Sequence, residues 1–135
     1  MNYIVDILTP DKVVAKEIEA ASIKVDTVRG EINILPDHTH LITSLFTGLL
    51  NVSDTSGINH YFTVSKGICK VLGNKITILS SDSLITGEVD TASFTTEKEE
   101  ISKTLEKTDL MTDEQINSLH ERVDYINAAL KLAEY

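Results

Sequence analysis

The sequence predicts an α+β chain in two parts: a β-sandwich over residues 1–86, then an antiparallel two-helix hairpin over residues 87–135. Three observations predict it. Residues 3–79 break into short β-rich runs separated by turn residues, with no helical pattern between them. After Gly87 the apolar residues recur at spacings of three and four. The charge divides at the same place. Residues 1–86 hold 7 basic and 9 acidic side chains and residues 87–135 hold 5 and 12, so most of the net −9 falls on the helical part.

The strands follow in order. Tyr3-Ile4-Val5-Asp6-Ile7-Leu8 is β-rich and stops at the turn signal Thr9-Pro10-Asp11. Val13-Val14-Ala15 follows. Ala21-Ser22-Ile23-Lys24-Val25 alternates polar and apolar, which puts one face on a core. Ile32-Asn33-Ile34-Leu35 ends at Pro36-Asp37. Runs 41–45 and 49–52 flank Gly48, and residues 53–57 form a polar loop. Runs 61–64 and 68–71 are read as two strands parted by a turn at Gly67. Gly73-Asn74 reads as a two-residue hairpin into Ile76-Thr77-Ile78-Leu79. Eight or more short strands at regular spacing predict a sandwich or barrel.

In the helical part, residues 93–107 carry Phe94, Ile101 and Leu105, and Thr96 with Glu99 predicts a capping box. Residues 107–110 are the connection. Thr112 with Gln115 predicts a second capping box, with Met111 and Ile116 placed as a hydrophobic staple. Ile116, Leu119, Val123, Ile126, Leu130 and Ala133 then form a narrow seam suited to one partner helix. A globular surface helix usually has a wider stripe. The sequence therefore predicts a lightly docked, mobile appendage.

Composition excludes several functions. An acidic chain without a basic cluster is repelled by nucleic acid and by anionic lipid. No apolar run reaches the ~20 residues of a membrane span, and no signal peptide is visible. Cys69 stands alone, so no disulfide framework is expected and the compartment is read as reducing. No nucleophile elbow, phosphate loop or dinucleotide fingerprint occurs. His38 and His40, two apart, would share a strand face as metal ligands sometimes do, but no third ligand is evident. The acidic residues of the hairpin sit mostly off the apolar stripe, as on a solvated helix face. On residues alone the chain is an interaction protein, with no enzyme activity and no cofactor. A cupin-like metal enzyme using His38 and His40 is a weaker alternative.

The segment Gly30-Glu31-Ile32-Asn33-Ile34-Leu35-Pro36-Asp37-His38-Thr39-His40-Leu41-Ile42-Thr43-Ser44-Leu45, followed by Gly48-Leu49-Leu50-Asn51-Val52, resembles the epsilon subunit of bacterial F-type ATP synthase. Tyr61-Phe62-Thr63-Val64-Ser65-Lys66-Gly67-Ile68, Asn74-Lys75-Ile76-Thr77-Ile78-Leu79-Ser80 and Gly87-Glu88-Val89-Asp90 continue the likeness. The resemblance implies about ten strands in the sandwich. It implies a non-catalytic subunit of the rotating central stalk of a proton-translocating synthase, at the cytoplasmic face of the inner membrane without inserting into it. The sandwich (1–86) would bind the gamma subunit and the c ring. Arg29, Gly30 and Glu31 would face the ring, and His38 would lie in a stalk interface loop. The hairpin (87–135) would be regulatory, either lying on the sandwich or extending along gamma towards the alpha and beta subunits, where it inhibits ATP hydrolysis.

Departures from the family pattern sharpen this. Asn33 and Lys66 stand where the family has glycine, and His40 where it has proline. Asn33 is compatible with a left-handed backbone if that position demands one. Some members bind ATP through I/L-D-x-x-R-A. Here Val123-Asp124-Tyr125-Ile126-Asn127-Ala128 keeps Asp124 but has Asn127 for the arginine, so no nucleotide binding is expected. Residues 113–135 carry net −3, which opposes docking on acidic beta-subunit segments, so weak inhibition is expected. The alternative to the synthase reading is an unrelated β-sandwich adaptor with a regulatory hairpin.

Overall fold

The computed structural model describes residues 3–27, 29–34, 41–107 and 109–135, without the side chain of Leu41. Seven strands come first: β1 (Tyr3–Leu8), β2 (Val13–Thr27), β3 (Gly30–Ile34), β4 (Leu41–Leu45), β5 (Gly48–Asp54), β6 (Asn59–Leu72) and β7 (Lys75–Asp82). A single turn of 3-10 helix (Thr86–Glu88) leads to α1 (Thr91–Leu105) and α2 (Asp113–Leu132).

The strands form a β-sandwich. The described strands number seven rather than about ten because β2 and β6, of 15 and 14 residues, each pass through both layers. The first half of β2 pairs with β1 and its second half with β3 and β5. The first half of β6 pairs with β5, and the part from Gly67 onward pairs with β4. β1 and β7 run parallel side by side. One layer is thus β2–β1–β7–β6–β4 and the other β3–β2–β5–β6.

Two bends allow the crossing, and each has a left-handed residue beside it: Glu17 in β2 (φ 53°) and Lys66 in β6 (φ 31°). The left-handed region disfavours both side chains. At the first bend Asp6 supplies compensation, because its carboxylate accepts the Glu17 backbone N–H at 2.8 Å. Lys66 thus takes an unusual backbone at a position where the family pattern has glycine. Asn33 does not, and lies within β3. Gly67 is not a turn, as the sequence reading had it. It lies inside β6, and a Cβ there would collide with the Leu79 carbonyl oxygen of β7. The Gly73-Asn74 hairpin forms as expected, with Leu72 opposite Lys75 and Gly73 at φ 61°.

The core sits between the layers. Val5, Ile7, Ile23, Val25, Leu50, Val52, Val64, Ile76 and Ile78 are essentially excluded from water. They occupy alternate positions along their strands, as the pleat requires. Tyr3 is buried with them and donates its hydroxyl to the Ile34 carbonyl at 3.1 Å.

The helices depart from expectation in two places. The N-cap of α1 is Asp90, whose carboxylate accepts the Ser93 N–H at 3.2 Å, so Thr96 and Glu99 lie inside the helix rather than capping it. An Asp whose carboxylate reaches N3 satisfies the helix terminus where the helix begins, six residues before Thr96. The Thr112–Gln115 capping box forms as expected, with reciprocal bonds of 3.1 and 3.0 Å. The apolar surface of α2 is wider than the seam. Tyr125, Ala128, Ala129 and Leu132 are buried as a second stripe. α1 packs on α2, while α2 also packs on β5 and β6.

Candidate interaction surfaces

The two outer sheet faces differ because their side chains differ. On the β3–β2–β5–β6 face, Asp26, Leu49 and Thr63 stand in one cross-strand row, and Lys24, Asn51 and Tyr61 in the next. α2 covers it. The Tyr125 hydroxyl meets Thr63 Oγ1 at 2.9 Å, both residues being buried. Lys131 pairs with Asp26 at 2.9 Å, and Glu121 with Lys66 at 2.5 Å. The Tyr135 ring stacks on Tyr61 with centroids 4.0 Å apart. Burial pushes the Tyr125 hydroxyl up to about 12, so it stays protonated in ordinary conditions.

The opposite face is open. Ile68 lies between Ser44 and Leu79, Leu79 beside Leu8, and Leu8 opposite Val13, so one row crosses the whole layer. Val13 (57% exposed), Ile68 (45%) and Leu79 (44%) present apolar surface along it, with Ile42 (70%) next to the row. A concavity of about 710 Å³ opens there, lined by Leu8, Pro10, Phe46, Ile68 and Leu79 among others. Apolar surface gathered across five strands marks an interaction face.

Phe46 links this face to the predicted ring-facing residues. The Arg29 guanidinium lies 4.7 Å over the Phe46 ring. The turn holding it is built by Thr27, whose hydroxyl accepts the Arg29 N–H (3.1 Å) and donates to the Gly30 carbonyl (2.8 Å). Gly30 has φ 116°, open to glycine and strained for other residues. Glu31 is exposed and pairs with Lys24 at 2.9 Å. Arg29, Gly30 and Glu31 are therefore together at one end of the sandwich. His38 and His40 lie outside the described residues.

Asp124 and Asn127 line a hollow of about 170 Å³ between α2 and the sheet, together with Asp26 and Lys131. Lys131 is the cation there, and Asp26 already engages it. Arg122 is held by Glu97 of α1 through bonds of 2.6 and 3.1 Å, which keep the Glu97 carboxyl below its ordinary range. Cys69 is buried, and desolvation raises its thiol to about 11, so it packs as a small apolar residue. His60 pairs with Asp54 at 2.9 Å, and His120 is exposed on α2. Among the described residues, no three His, Cys, Asp or Glu side chains converge on a metal-sized site.

Sequence reasoning missed the roles of Tyr61, Thr63 and Asp26, because pairing across the fold leaves no local trace. The second stripe on α2 did leave one. Tyr125, Ala128 and Leu132 recur at three and four, and only the small size of alanine hides the pattern.

Comparison with known proteins agrees with this architecture. Residues 2–85 match the family described as ATP synthase, Delta/Epsilon chain, beta-sandwich domain. The ATP synthase epsilon chain of Desulfosudis oleivorans is 31% identical over 105 residues, which cover 78% of each chain. That of Hydrogenobaculum sp. is 28% identical over 133 residues, covering 97% of this chain and 93% of its own. A chain in the Euglena gracilis mitochondrial ATP synthase shares the fold, with a TM-score of 0.79 at 19% identity over 99% of this chain and 82% of that one. A chain in the central stalk and c-ring structure of the Tetrahymena thermophila enzyme does so with 0.64 at 18% identity, over 96% and 94%. By its matched sandwich and its epsilon-chain relatives, this chain belongs to the delta/epsilon-chain family of ATP synthase.

Proposed function

We propose that this chain is a non-catalytic central-stalk subunit of a proton-translocating F-type ATP synthase. It joins the catalytic head to the membrane ring by binding the gamma subunit and the c ring. The observation that carries this reading is the open apolar face of β4, β6, β7, β1 and β2, on a chain whose other face is covered by its own helix. Exposed apolar surface gathered in one patch supports a docked partner. Gamma is assigned to that face. The ring is assigned to the adjoining end, where Arg29, Gly30 and Glu31 meet Phe46.

The division of labour follows the chain. Residues 1–86 are the binding part, and residues 87–135 are a regulatory arm that docks on the sheet or leaves it. Because Asn127 stands where ATP-binding members have arginine, the arm binds no ATP, and a calorimetric titration showing micromolar affinity would refute that. No helix among the described residues is long and apolar enough to cross a membrane. The subunit is placed at the cytoplasmic face of the inner membrane, held there by the complex. An adaptor unrelated to the synthase would not share the family's sandwich.

Co-purification tests the reading. The chain should retain gamma and the c ring, and Ile68→Asp with Leu79→Asp should abolish gamma retention while thermal unfolding stays cooperative. Undiminished gamma retention by the folded double variant would overturn the assignment of the face. Failure of the unaltered chain to retain either partner would overturn the function.

A further inference from the structure

We propose that the bond between the Tyr125 and Thr63 hydroxyls is the lock on release of the hairpin, and that Thr63 confines release to the two helices while the linker stays on the sheet. The inference rests on the reading of residues 87–135 as a movable arm.

Thr63 serves two elements at once. Its backbone N–H donates to the Leu84 carbonyl at 3.0 Å, and its Oγ1 accepts the Leu84 N–H at 2.8 Å. Ile85 bridges to Phe62 next to it. The linker is therefore stitched to β6 at the residue that α2 reaches through Tyr125. The other polar ties of α2 to the sheet are weaker in kind. Lys131–Asp26 and Glu121–Lys66 are half-exposed ion pairs, which contribute little in water. The Tyr135 ring that stacks on Tyr61 is half-exposed. Only the Tyr125–Thr63 bond joins α2 to the sheet between two buried side chains among the described residues.

The same geometry makes release clean. When α2 leaves, Thr63 Oγ1 keeps the Leu84 N–H and Tyr125 gains water, so neither is stranded. Asn51, in the covered row beside Tyr61, has a buried Oδ1 without a partner, a cost of docking that release relieves by hydration. Thr63 and Tyr125 favour the docked state and Asn51 opposes it, which narrows the gap between the two states.

Hydrogen exchange on the full chain tests this. Tyr125→Phe should speed exchange of the α2 amides roughly two- to ten-fold, the worth of one buried hydrogen bond. The β5 and β6 core amides and those of Leu84 and Ile85 should not change. Thr63→Val should speed α2 equally and also unprotect Leu84, whereas Thr63→Ser should behave as the parent chain. Combining Tyr125→Phe with Thr63→Val should add nothing further on α2. Unchanged α2 exchange in Tyr125→Phe overturns the lock while the movable arm stands. Leu84 exchange rising with α2 in that variant overturns the confinement. If α2 of the parent chain exchanges only as slowly as the β5 and β6 core, the hairpin does not open by itself, and both arm and lock are overturned.

Discussion

Arg122 of α2 grips Glu97 of α1 through two parallel hydrogen bonds, and its guanidinium lies 5.5 Å from the Tyr125 ring and 5.7 Å from that of Phe94. One side chain thus joins both helices beside the residue that docks them. Arg122→Gln should cost about 0.5–1 kcal/mol in helix pairing, since the pair is partly exposed. Hydrogen exchange of α1 should quicken roughly two- to five-fold. Arg122→Lys should not restore protection, because an ammonium cannot make the forked contact.

Gly48 lies against the Asp26 backbone, where β5 meets β2. A Cβ there would overlap the Asp26 carbonyl oxygen and approach the Thr27 Cα. Gly48→Ala must push the two strands apart and should cost about 3 kcal/mol or more, read as a lower urea midpoint. A variant as stable as the parent would show that the strands can part freely.

Asp6 carries part of the acid sensitivity of the sandwich, with Asp54 also held below the ordinary carboxylate range. The Glu17 N–H, and after it the Lys75 ammonium at 3.3 Å, hold its carboxyl below the ordinary range. A depressed folded-state pKa gives stability that is present above the unfolded value of about 3.9 and is lost as pH falls through the folded value. Asp6→Asn keeps an acceptor for Glu17 but loses the charge, and should cost about 1 kcal/mol at pH 7. The gap between parent and variant should narrow in urea unfolding as pH falls below about 3.9. A gap independent of pH would remove Asp6 from the acid response.

The acidity of the arm bears on the regulatory role proposed for it. Residues 113–135 carry Asp113, Glu114, Glu121, Asp124 and Glu134 against Arg122 and Lys131. Like charges oppose docking on acidic partner segments. Truncation after Gly87 in the assembled complex should leave the ATP hydrolysis rate almost unchanged. A several-fold rise would show that the arm inhibits in spite of its charge.

Local chemistry alone determined much of this protein. β-branched alternation marked the strands, Gly73-Asn74 the hairpin and Thr112 the start of α2, because each is a bargain between near neighbours in the chain. The motif around Gly30 and Glu31 carries the family resemblance by itself. What neighbours cannot encode was decided by tertiary structure. Gly67 read as a turn, yet its lack of a side chain makes room for the Leu79 carbonyl of another strand. Thr96 read as a cap, yet Asp90 starts the helix earlier. The seam of α2 read as its whole apolar surface, yet Tyr125, Ala128 and Leu132 became a second one only when β5 and β6 lay beneath them. Long strands that cross between layers, and hydroxyls that meet 62 residues apart, depend on contacts that form when the chain closes on itself.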